Sequence, residues 1–282
     1  MRSKRFGPTG VDVPVVGQGT WDMPESGSRK AQALRAIRRG VELGMTDLDT
    51  AEMYGSGEVE RTLREAITGL DREQLFVTSK VLPSNASYRR TLEACDRSLR
   101  NLGLDYLDLY LLHWPSSEPL EETMRALADL VHAGKTRFVG VSNFEAEDML
   151  AARDLLGGVP LACNQVLYHL QERGIEHDLM KTARDAGIAI VAYTPFGRGA
   201  FKRSSEGNTV LERVAAKHGA TVRQVILAFL TREPHAFTIP KASSVAHVEE
   251  NAAAGDLQLE SDDVAAIDAA FPLTPPGPLA TL

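Results

Sequence analysis

Short apolar runs recur in this chain about every thirty residues, and this repeat limits its fold more than any other feature. A helical pattern with an apolar stripe follows most of the runs. Strands that alternate with such helices pair in parallel, because each helix returns the chain to the start of the next strand. The predicted strands begin at Val15, Met45, Leu75, Tyr106, Thr136, Leu161, Ile188 and Ala236.

Repeated units of this kind predict an α/β fold, the (β/α)8 TIM barrel, as one domain over residues 1–282. A stretch rich in glycine and proline at residues 5–14 predicts an N-terminal β-hairpin that closes one end of the barrel. Extra helices are predicted near strands 7 and 8, at residues 210–218, 222–232 and 262–271. No linker or low-complexity segment interrupts the repeat.

The charge balance argues against nucleic acid as a partner, because a net charge of -7 leaves no concentrated basic surface for phosphates. No apolar run is long enough to cross a membrane or to act as a secretory signal. Cys95 and Cys163 have no metal-ligand partner at a useful spacing, and the histidines form no paired motif, so no metal site is expected. We therefore expect a cytoplasmic protein with reduced thiols and no membrane partner.

Three consecutive predicted strands end on an ionisable residue, namely Asp49, Lys80 and His113. Tyr54 follows Asp49 closely in the chain. One such residue alone is equally typical of a solvated strand end. In a parallel barrel, however, the C-terminal ends of all strands meet on one face. The recurrence therefore predicts that these side chains share one pocket.

These side chains suit the conversion of a carbonyl group into an alcohol. Tyrosine is a weak acid with a pKa of about 10, and an ammonium such as that of Lys80 lowers a neighbouring pKa by about 1 to 3 units. Asp49 would hold Lys80 charged and oriented, and His113 would position the substrate oxygen. No side chain can supply a hydride, so reduction implies a nicotinamide cofactor. Since no GxGxxG motif follows a strand, that cofactor would not be bound in the Rossmann manner.

The remaining strand ends carry groups that can bind an amide and a planar ring. Ser142 and Asn143 close the fifth strand, Asn164 and Gln165 close the sixth, and Tyr193 closes the seventh. Each of them alone is equally typical of a turn or of a core.

The loop after the seventh strand reads PFGRGAF. Backbone N–H groups at Gly197 and Gly199, together with the guanidinium of Arg198, can meet a pyrophosphate. In isolation such a loop is more often a plain turn.

Motifs at the predicted strand ends, taken in chain order, resemble those of the aldo-keto reductases. They read DTAEMYG, TSK, LLHWP, GVSNF, NQVLYH, AYTPFGRG and IPKAS. The resemblance spans nearly the whole chain, and it is particularly close to bacterial members that reduce methylglyoxal and other small aldehydes. It implies a barrel fold, NADPH as the cofactor, and reduction of a carbonyl group by hydride transfer.

The resemblance implies the same catalytic roles as the residues suggest on their own. Tyr54 would be the general acid, Lys80 and Asp49 would tune it, and His113 would orient the carbonyl group. The resemblance also implies a series of cofactor contacts from the nicotinamide to the adenosine. These are Ser142, Asn143 and Gln165 at the carboxamide, Tyr193 stacked on the nicotinamide, Pro195, Phe196 and Gly197 along the cofactor, and Lys241, Ser243, Glu250 and Asn251 near the adenosine.

One position near the adenosine departs from the family pattern. His247 stands where many members that prefer NADPH carry an arginine for the 2′-phosphate, and histidine is a weaker, pH-dependent cation. Lys241 remains to meet that phosphate. We therefore expect NADPH to be preferred over NADH, but less strongly than an arginine would make it. Ala242 also replaces a hydroxyl residue found in some relatives.

Apolar and aromatic residues leave the strand ends beside the catalytic groups and are predicted to line the substrate pocket. They are Trp21, Met53, Leu82 and Trp114. The alternative is that some of them only plug the mouth of the barrel. The segment after Phe271 is short, which predicts an open pocket and a preference for small aldehydes and ketoaldehydes.

Two other functions are compatible with the sequence. A barrel that holds NADPH without turnover would be a redox sensor or an accessory subunit, although the intact set of ionisable residues favours catalysis. The barrel could instead act on a phosphate-bearing substrate, or Lys80 could form a Schiff base with its substrate, as in aldol chemistry. From the family we expect a monomer whose partner is a small carbonyl compound.

Overall fold

The N-terminal hairpin is present in a computed structural model of the chain, which describes residues 1–197 and 205–282. Strands β1 (Ser3–Arg5) and β2 (Asp12–Pro14) pair antiparallel, and Gly10 takes a left-handed φ of 76° between them. Phe6, also between them, packs its ring against Phe76, with the ring centroids 5.3 Å apart. The hairpin therefore closes the N-terminal end of the barrel with an apolar plug, as predicted.

Eight strands form one parallel sheet in which each strand pairs with the next along the chain. The sheet closes on itself because Val16 bridges in parallel to Thr238, and Gly19 bridges in parallel to Lys241. This closure confirms the predicted (β/α)8 barrel, and each predicted strand overlaps an observed one. The strands are β3 (Gln18–Gly19), β4 (Asp47–Asp49), β5 (Phe76–Val81), β6 (Leu107–Leu112), β7 (Thr136–Ser142), β8 (Leu161–Leu167), β9 (Ala189–Tyr193) and β10 (Ala236–Thr238).

Helices surround the barrel. They are α1 (Gly27–Glu42), α2 (Glu58–Ile67), α3 (Tyr88–Leu102), α4 (Leu120–His132), α5 (Ala146–Asp154), α6 (Leu179–Asp185), α7 (Ser205–Lys217), α8 (Val222–Leu230), α9 (Val245–Ala254) and α10 (Ser261–Ala270). The extra helices α7 and α8 lie between β9 and β10, as predicted. A capping box of Thr221 and Gln224 begins α8. None of the described helices has the length and apolar character that a membrane span needs.

Alternation along the strands separates an inner from an outer apolar layer. Phe76 and Leu109 belong to the layer inside the barrel, whereas Leu48 packs outward beneath the helices. Toward the C-terminal ends of the strands the inward positions become polar, and Asp49 and Lys80 are both buried there. The polar strand ends therefore meet at one mouth of the barrel.

Candidate active site

A buried ion pair between Lys80 and Asp49 lies at the centre of this mouth. The Lys80 side chain is 0% exposed, and its Nζ lies 2.6 Å from Asp49 Oδ1. The ammonium also donates to the backbone oxygen of Thr50 at 2.8 Å. Burial lowers the pKa of Lys80, but Asp49 and the Tyr54 oxygen outweigh burial and raise that pKa above its ordinary value. Lys80 is therefore a cation at neutral pH.

A second carboxyl group lies deeper in the barrel on the same strand. Burial and the charge of Asp49 raise the pKa of Asp47 well above its ordinary value. Asp47 therefore holds its proton more strongly than an ordinary aspartate, whereas it is Asp49 that contacts the Lys80 ammonium directly.

Tyr54 reaches the ion pair from the loop that follows β4. It begins a 3-10 turn, Tyr54–Gly57, in which Ser56 takes a left-handed φ of 51°. Lys80 donates to the Tyr54 hydroxyl oxygen at 3.4 Å, and its Nζ lies 5.1 Å from the centroid of the tyrosine ring. The predicted group of Asp49, Tyr54 and Lys80 is thus assembled in one place.

The net shift of the Tyr54 pKa differs from the prediction that Lys80 lowers it. Burial raises the pKa of the phenol above its ordinary value of 10.0; Lys80 acts in the opposite direction, and Asp49 adds to the increase. Burial prevails because a buried phenolate loses more hydration than one ammonium restores. Tyr54 is consequently a neutral phenol that still holds its proton at physiological pH.

His113 faces Tyr54 from the end of β6. The two rings meet edge to face with their centroids 5.9 Å apart. Burial, assisted by the charge of Lys80, lowers the pKa of His113 to about 2. The imidazole is therefore neutral, with one N–H donor and one acceptor nitrogen. Its Nδ1 is buried and has no hydrogen-bond partner among the described residues.

The residues predicted to bind a carboxamide and a planar ring form a hydrogen-bonded network with the ion pair. Gln165 Nε2 donates to Asp49 Oδ2 at 2.8 Å. Ser142 Oγ donates to the backbone oxygen of Gln165 at 2.8 Å, and the Tyr193 hydroxyl donates to Asn143 Oδ1 at 2.8 Å. These groups are therefore held beside the predicted catalytic residues by hydrogen bonds.

A cavity of about 250 Å³ opens above these residues. Tyr54 and His113 line it, and so do Trp21, Met53 and Trp114. Trp114 stacks on the imidazole of His113 with the ring centroids 3.9 Å apart. The structure thus brings these predicted substrate residues to the predicted catalytic groups.

Leu82, also predicted to line the substrate pocket, lies elsewhere. It lines a separate cavity together with Glu52 and Arg97. The chain leaves the barrel after β5 ends at Val81, and Leu82 leads into the 3-10 turn Pro83–Asn85. This position corrects the prediction, because a residue beyond the end of a strand no longer follows the inward and outward alternation of that strand.

The cavity lined by Tyr54 and His113 extends to residues predicted along the cofactor. Tyr193, Pro195, Phe196 and Lys241 all line it. Gly197 follows them directly with a left-handed φ of 58°. The predicted contact at Arg198 lies outside the described residues.

Beyond the cavity, the predicted adenosine residues contain polar atoms without partners. Ser243 Oγ and both amide atoms of Asn251 are buried and form no hydrogen bond within the described part of the chain. Buried polar atoms are normally satisfied, so such atoms are expected where a polar ligand completes the bonding. Glu250 lies close by on α9, and His247 is exposed on the same helix. These residues fit the adenosine end of a dinucleotide.

The motifs do not point to Arg223, which the structure adds to this end of the site. Its guanidinium lies 4.0 Å above the ring centroid of Phe196, and its Nε lies 3.5 Å from Glu250 Oε2. An arginine in a helical pattern is usually an ordinary surface residue, so no sequence signal marks it. Asn164, which the sequence places among the amide-binding candidates, instead donates to the backbone oxygen of Phe144 at 2.7 Å and is structural.

The arrangement is that of a (β/α)8-barrel enzyme. A buried lysine–carboxylate pair, a neutral tyrosine and an apolar cavity lie together at the mouth of a closed parallel barrel. The chain belongs to the aldo/keto reductase family, whose model matches residues 15–271. It is 44% identical to methylglyoxal reductase YeaE of Escherichia coli strain K12, over 93% of this chain and 92% of that protein. It is 36% identical to glyoxal reductase of Bacillus subtilis strain 168, over 92% of this chain and 90% of that protein.

A solved structure shares the fold over its full length. It is an aldo/keto reductase of Klebsiella pneumoniae in complex with NADP and acetate, with 37% sequence identity and a TM-score of 0.91. The match covers 100% of both chains. This protein is therefore an oxidoreductase of the aldo-keto reductase type.

Proposed function

We propose that this protein reduces small aldehydes and ketoaldehydes such as methylglyoxal to alcohols, with NADPH as the hydride donor. The observation that carries the proposal is the single cavity shared by Tyr54, His113 and the residues predicted along the cofactor. The relatives support it, since one is named a methylglyoxal reductase and another a glyoxal reductase. The Klebsiella structure, which contains NADP, supports the choice of cofactor.

Tyr54 is the proposed proton donor. When bound, NADPH supplies the hydride that reaches the carbonyl carbon. Tyr54 then gives its phenolic proton to the carbonyl oxygen as negative charge develops there. The Lys80 ammonium, 3.4 Å from the hydroxyl oxygen, stabilises the phenolate that remains. Asp49, 2.6 Å from Lys80 Nζ, keeps the ammonium charged and in place.

The neighbouring residues orient the reactants. His113, neutral because it is buried and lies near Lys80, is proposed to donate its N–H to the carbonyl oxygen without competing as the acid. Ser142, Asn143 and Gln165 would hold the carboxamide, and the ring of Tyr193 would support the nicotinamide. Pro195, Phe196 and Gly197 would lie along the cofactor, with Lys241, Ser243, Glu250 and Asn251 at the adenosine.

Cavity size and lining favour small substrates. The space of about 250 Å³ is walled by Trp21, Met53 and Trp114. Leu282 also lines the cavity, so the C-terminal segment covers part of the mouth that the sequence predicts to be open. Leu279 anchors that segment by donating its backbone N–H to Glu145 Oε1 at 2.5 Å. A partly covered apolar mouth fits small aldehydes better than bulky ketones.

The proposed activity is tested by NADPH consumption with methylglyoxal, other small aldehydes and a steroid ketone. We expect kcat/KM for methylglyoxal to exceed that for the steroid by about 100-fold or more, because the steroid cannot enter the cavity. Comparable efficiency on both would contradict the proposed substrate class. NADPH binding without turnover of any compound would instead favour a role as a redox sensor or an accessory subunit.

Cofactor preference is expected to be moderate and to depend on residue 247. NADPH should bind more tightly than NADH, and His247→Arg should lower the Kd for NADPH by about tenfold through a charge-assisted bond to the 2′-phosphate. The Kd for NADH should stay within about twofold, since NADH lacks that phosphate. Fluorescence titration measures both values.

His132→Arg is the matched control for this charge change. His132 is an exposed histidine at the end of α4, with its side chain 69% exposed. Its replacement should leave both Kd values unchanged. Equal or tighter binding of NADH by the wild type would contradict the preference, and an equal gain for both cofactors in His247→Arg would show a general charge effect.

Aldol chemistry through a Schiff base on Lys80 receives less support. The amine is fully buried, and its pKa is raised, so at neutral pH it is not the free base that attacks a carbonyl group. Borohydride trapping of a substrate on Lys80 would reverse this preference. A single-domain, monomeric protein remains our prediction.

A further inference from the structure

Glu52 joins two loops at the mouth of the barrel. Its carboxylate is largely buried, with the side chain 10% exposed. Oε1 accepts hydrogen bonds from the backbone N–H of Leu82 at 2.8 Å and from the amide of Asn85 at 2.9 Å. Oε2 accepts from the guanidinium of Arg97 at 3.1 Å. The loop after β4 is thus tied to the connection after β5 and to α3.

These two loops carry the reacting side chains. Tyr54 follows Glu52 in the loop after β4, and Lys80 precedes Leu82 at the end of β5. The backbone N–H of Glu52 also donates to the backbone oxygen of Lys80 at 3.3 Å. Movement of the loop after β4 away from β5 would therefore lengthen the distance of 3.4 Å between Lys80 Nζ and the Tyr54 hydroxyl oxygen.

Part of the loop after β4 is exposed or takes a left-handed backbone conformation. Met53 is 37% exposed. After Tyr54, Gly55, Ser56 and Gly57 take left-handed φ values of 54°, 51° and 89°, and a left-handed serine is unfavourable unless its surroundings hold it. Burying a carboxylate costs free energy unless donors replace its hydration. A largely buried carboxylate at this position, with donors from the neighbouring connection and α3, indicates a role in fixing the loop.

We propose that Glu52 is a positioning residue for the proton transfer: it clamps the Tyr54 loop onto the end of β5 and keeps the Tyr54 hydroxyl within reach of Lys80. This inference rests on the proposed reduction of carbonyl compounds. Glu52 lines the separate cavity that also contains Leu82 and Arg97, and it is not among the residues that line the cavity of Tyr54 and His113. It therefore acts through Tyr54 rather than on the substrate.

The test compares Glu52→Ala and Glu52→Gln with the wild type in methylglyoxal reduction. Glu52→Ala should lower kcat by about 30-fold, with KM and the NADPH Kd within about twofold, because misplacement of the acid affects the transition state more than binding. Glu52→Gln keeps an oxygen for Leu82 and Asn85, so its kcat should stay within about threefold of the wild type.

The solvent isotope effect separates positioning from general loss of structure. If the acid is misplaced, proton transfer becomes slower than the other steps. The ratio of kcat in H2O to kcat in D2O should then rise from near 1 in the wild type to about 2 in Glu52→Ala. A variant that merely unfolds more easily loses active enzyme without changing this ratio.

Glu60→Ala is the matched control, because Glu60 is another buried carboxylate tied to β5. Its Oε1 accepts from Ser79 Oγ at 2.8 Å, and its Oε2 accepts from the Asn101 amide at 2.8 Å. It should lower the Tm but leave kcat and the isotope effect unchanged. If Glu52→Ala does not fold, Arg97→Ala removes only the donor on α3, and a loss of about threefold with a raised isotope effect is expected.

Each outcome decides the matter. An unchanged kcat in Glu52→Ala, or in Arg97→Ala if that variant is used, overturns the inference. The same loss and isotope effect in Glu60→Ala also overturns it, since the effect would then be general. If the wild type reduces no carbonyl compound, the proposed function fails, and the inference fails with it. If the wild type is active and Glu52→Ala has the same kcat, only the inference is overturned.

Discussion

Replacing Tyr54 with phenylalanine is expected to lower kcat for aldehyde reduction by about 1,000-fold, while the NADPH Kd changes by less than about twofold. The substitution removes the hydroxyl that Lys80 contacts at 3.4 Å beside the shared cavity, and leaves the ring in place. Steady-state kinetics with methylglyoxal give kcat, and fluorescence titration gives the Kd. Loss of turnover without loss of binding would identify Tyr54 as the proton donor.

Tyr110→Phe is the matched control for this experiment. Tyr110 is fully buried on β6, and its hydroxyl has no hydrogen-bond partner among the described residues. Its removal should leave kcat unchanged and should not lower stability, because no bond is broken. If Tyr54→Phe retained more than about a tenth of wild-type kcat, another group would have to donate the proton, and the assignment of Tyr54 would be wrong.

The strand ends could be read from the sequence because they depend on local pattern and one topological rule. Each apolar run shows where a strand ends, and the barrel brings all those ends to one mouth. This reasoning placed Asp49, Lys80 and His113 together, and the structure has the Lys80–Asp49 pair at 2.6 Å. It needed no knowledge of distances between segments.

Other features of the site depend on packing between segments or lie beyond the regular strands, and they could not be derived. Leu82 lies beyond the end of its strand, where alternation no longer indicates direction. The net pKa shift of Tyr54 results from burial and from the charges of Lys80 and Asp49, and a sequence does not give their relative sizes. Arg223 meets Phe196 only because α8 packs beside the loop after β9.

Removing the Lys80 ammonium is expected to affect both activity and stability. Lys80→Met leaves the Asp49 carboxylate, with a side chain 4% exposed, without its countercharge. We expect the free energy of unfolding to fall by about 3 to 5 kcal/mol, because a buried charge loses its partner. We also expect kcat to fall by about 1,000-fold or more, because the Tyr54 phenolate loses its stabilising cation. Urea unfolding and steady-state kinetics measure the two effects.

The double variant Asp49→Asn/Lys80→Met separates these effects. It removes both charges and leaves an amide that can still bond to Gln165, whose Nε2 donates to Asp49 Oδ2 at 2.8 Å in the wild type. Replacing a buried ion pair with neutral groups is often close to neutral for stability, so the double variant should be more stable than Lys80→Met by about 2 kcal/mol or more. It should remain inactive, because neither neutral side chain stabilises a phenolate. A double variant as unstable as Lys80→Met would contradict the ion-pair account, and one that regained turnover would show that the chain does not need the pair for chemistry.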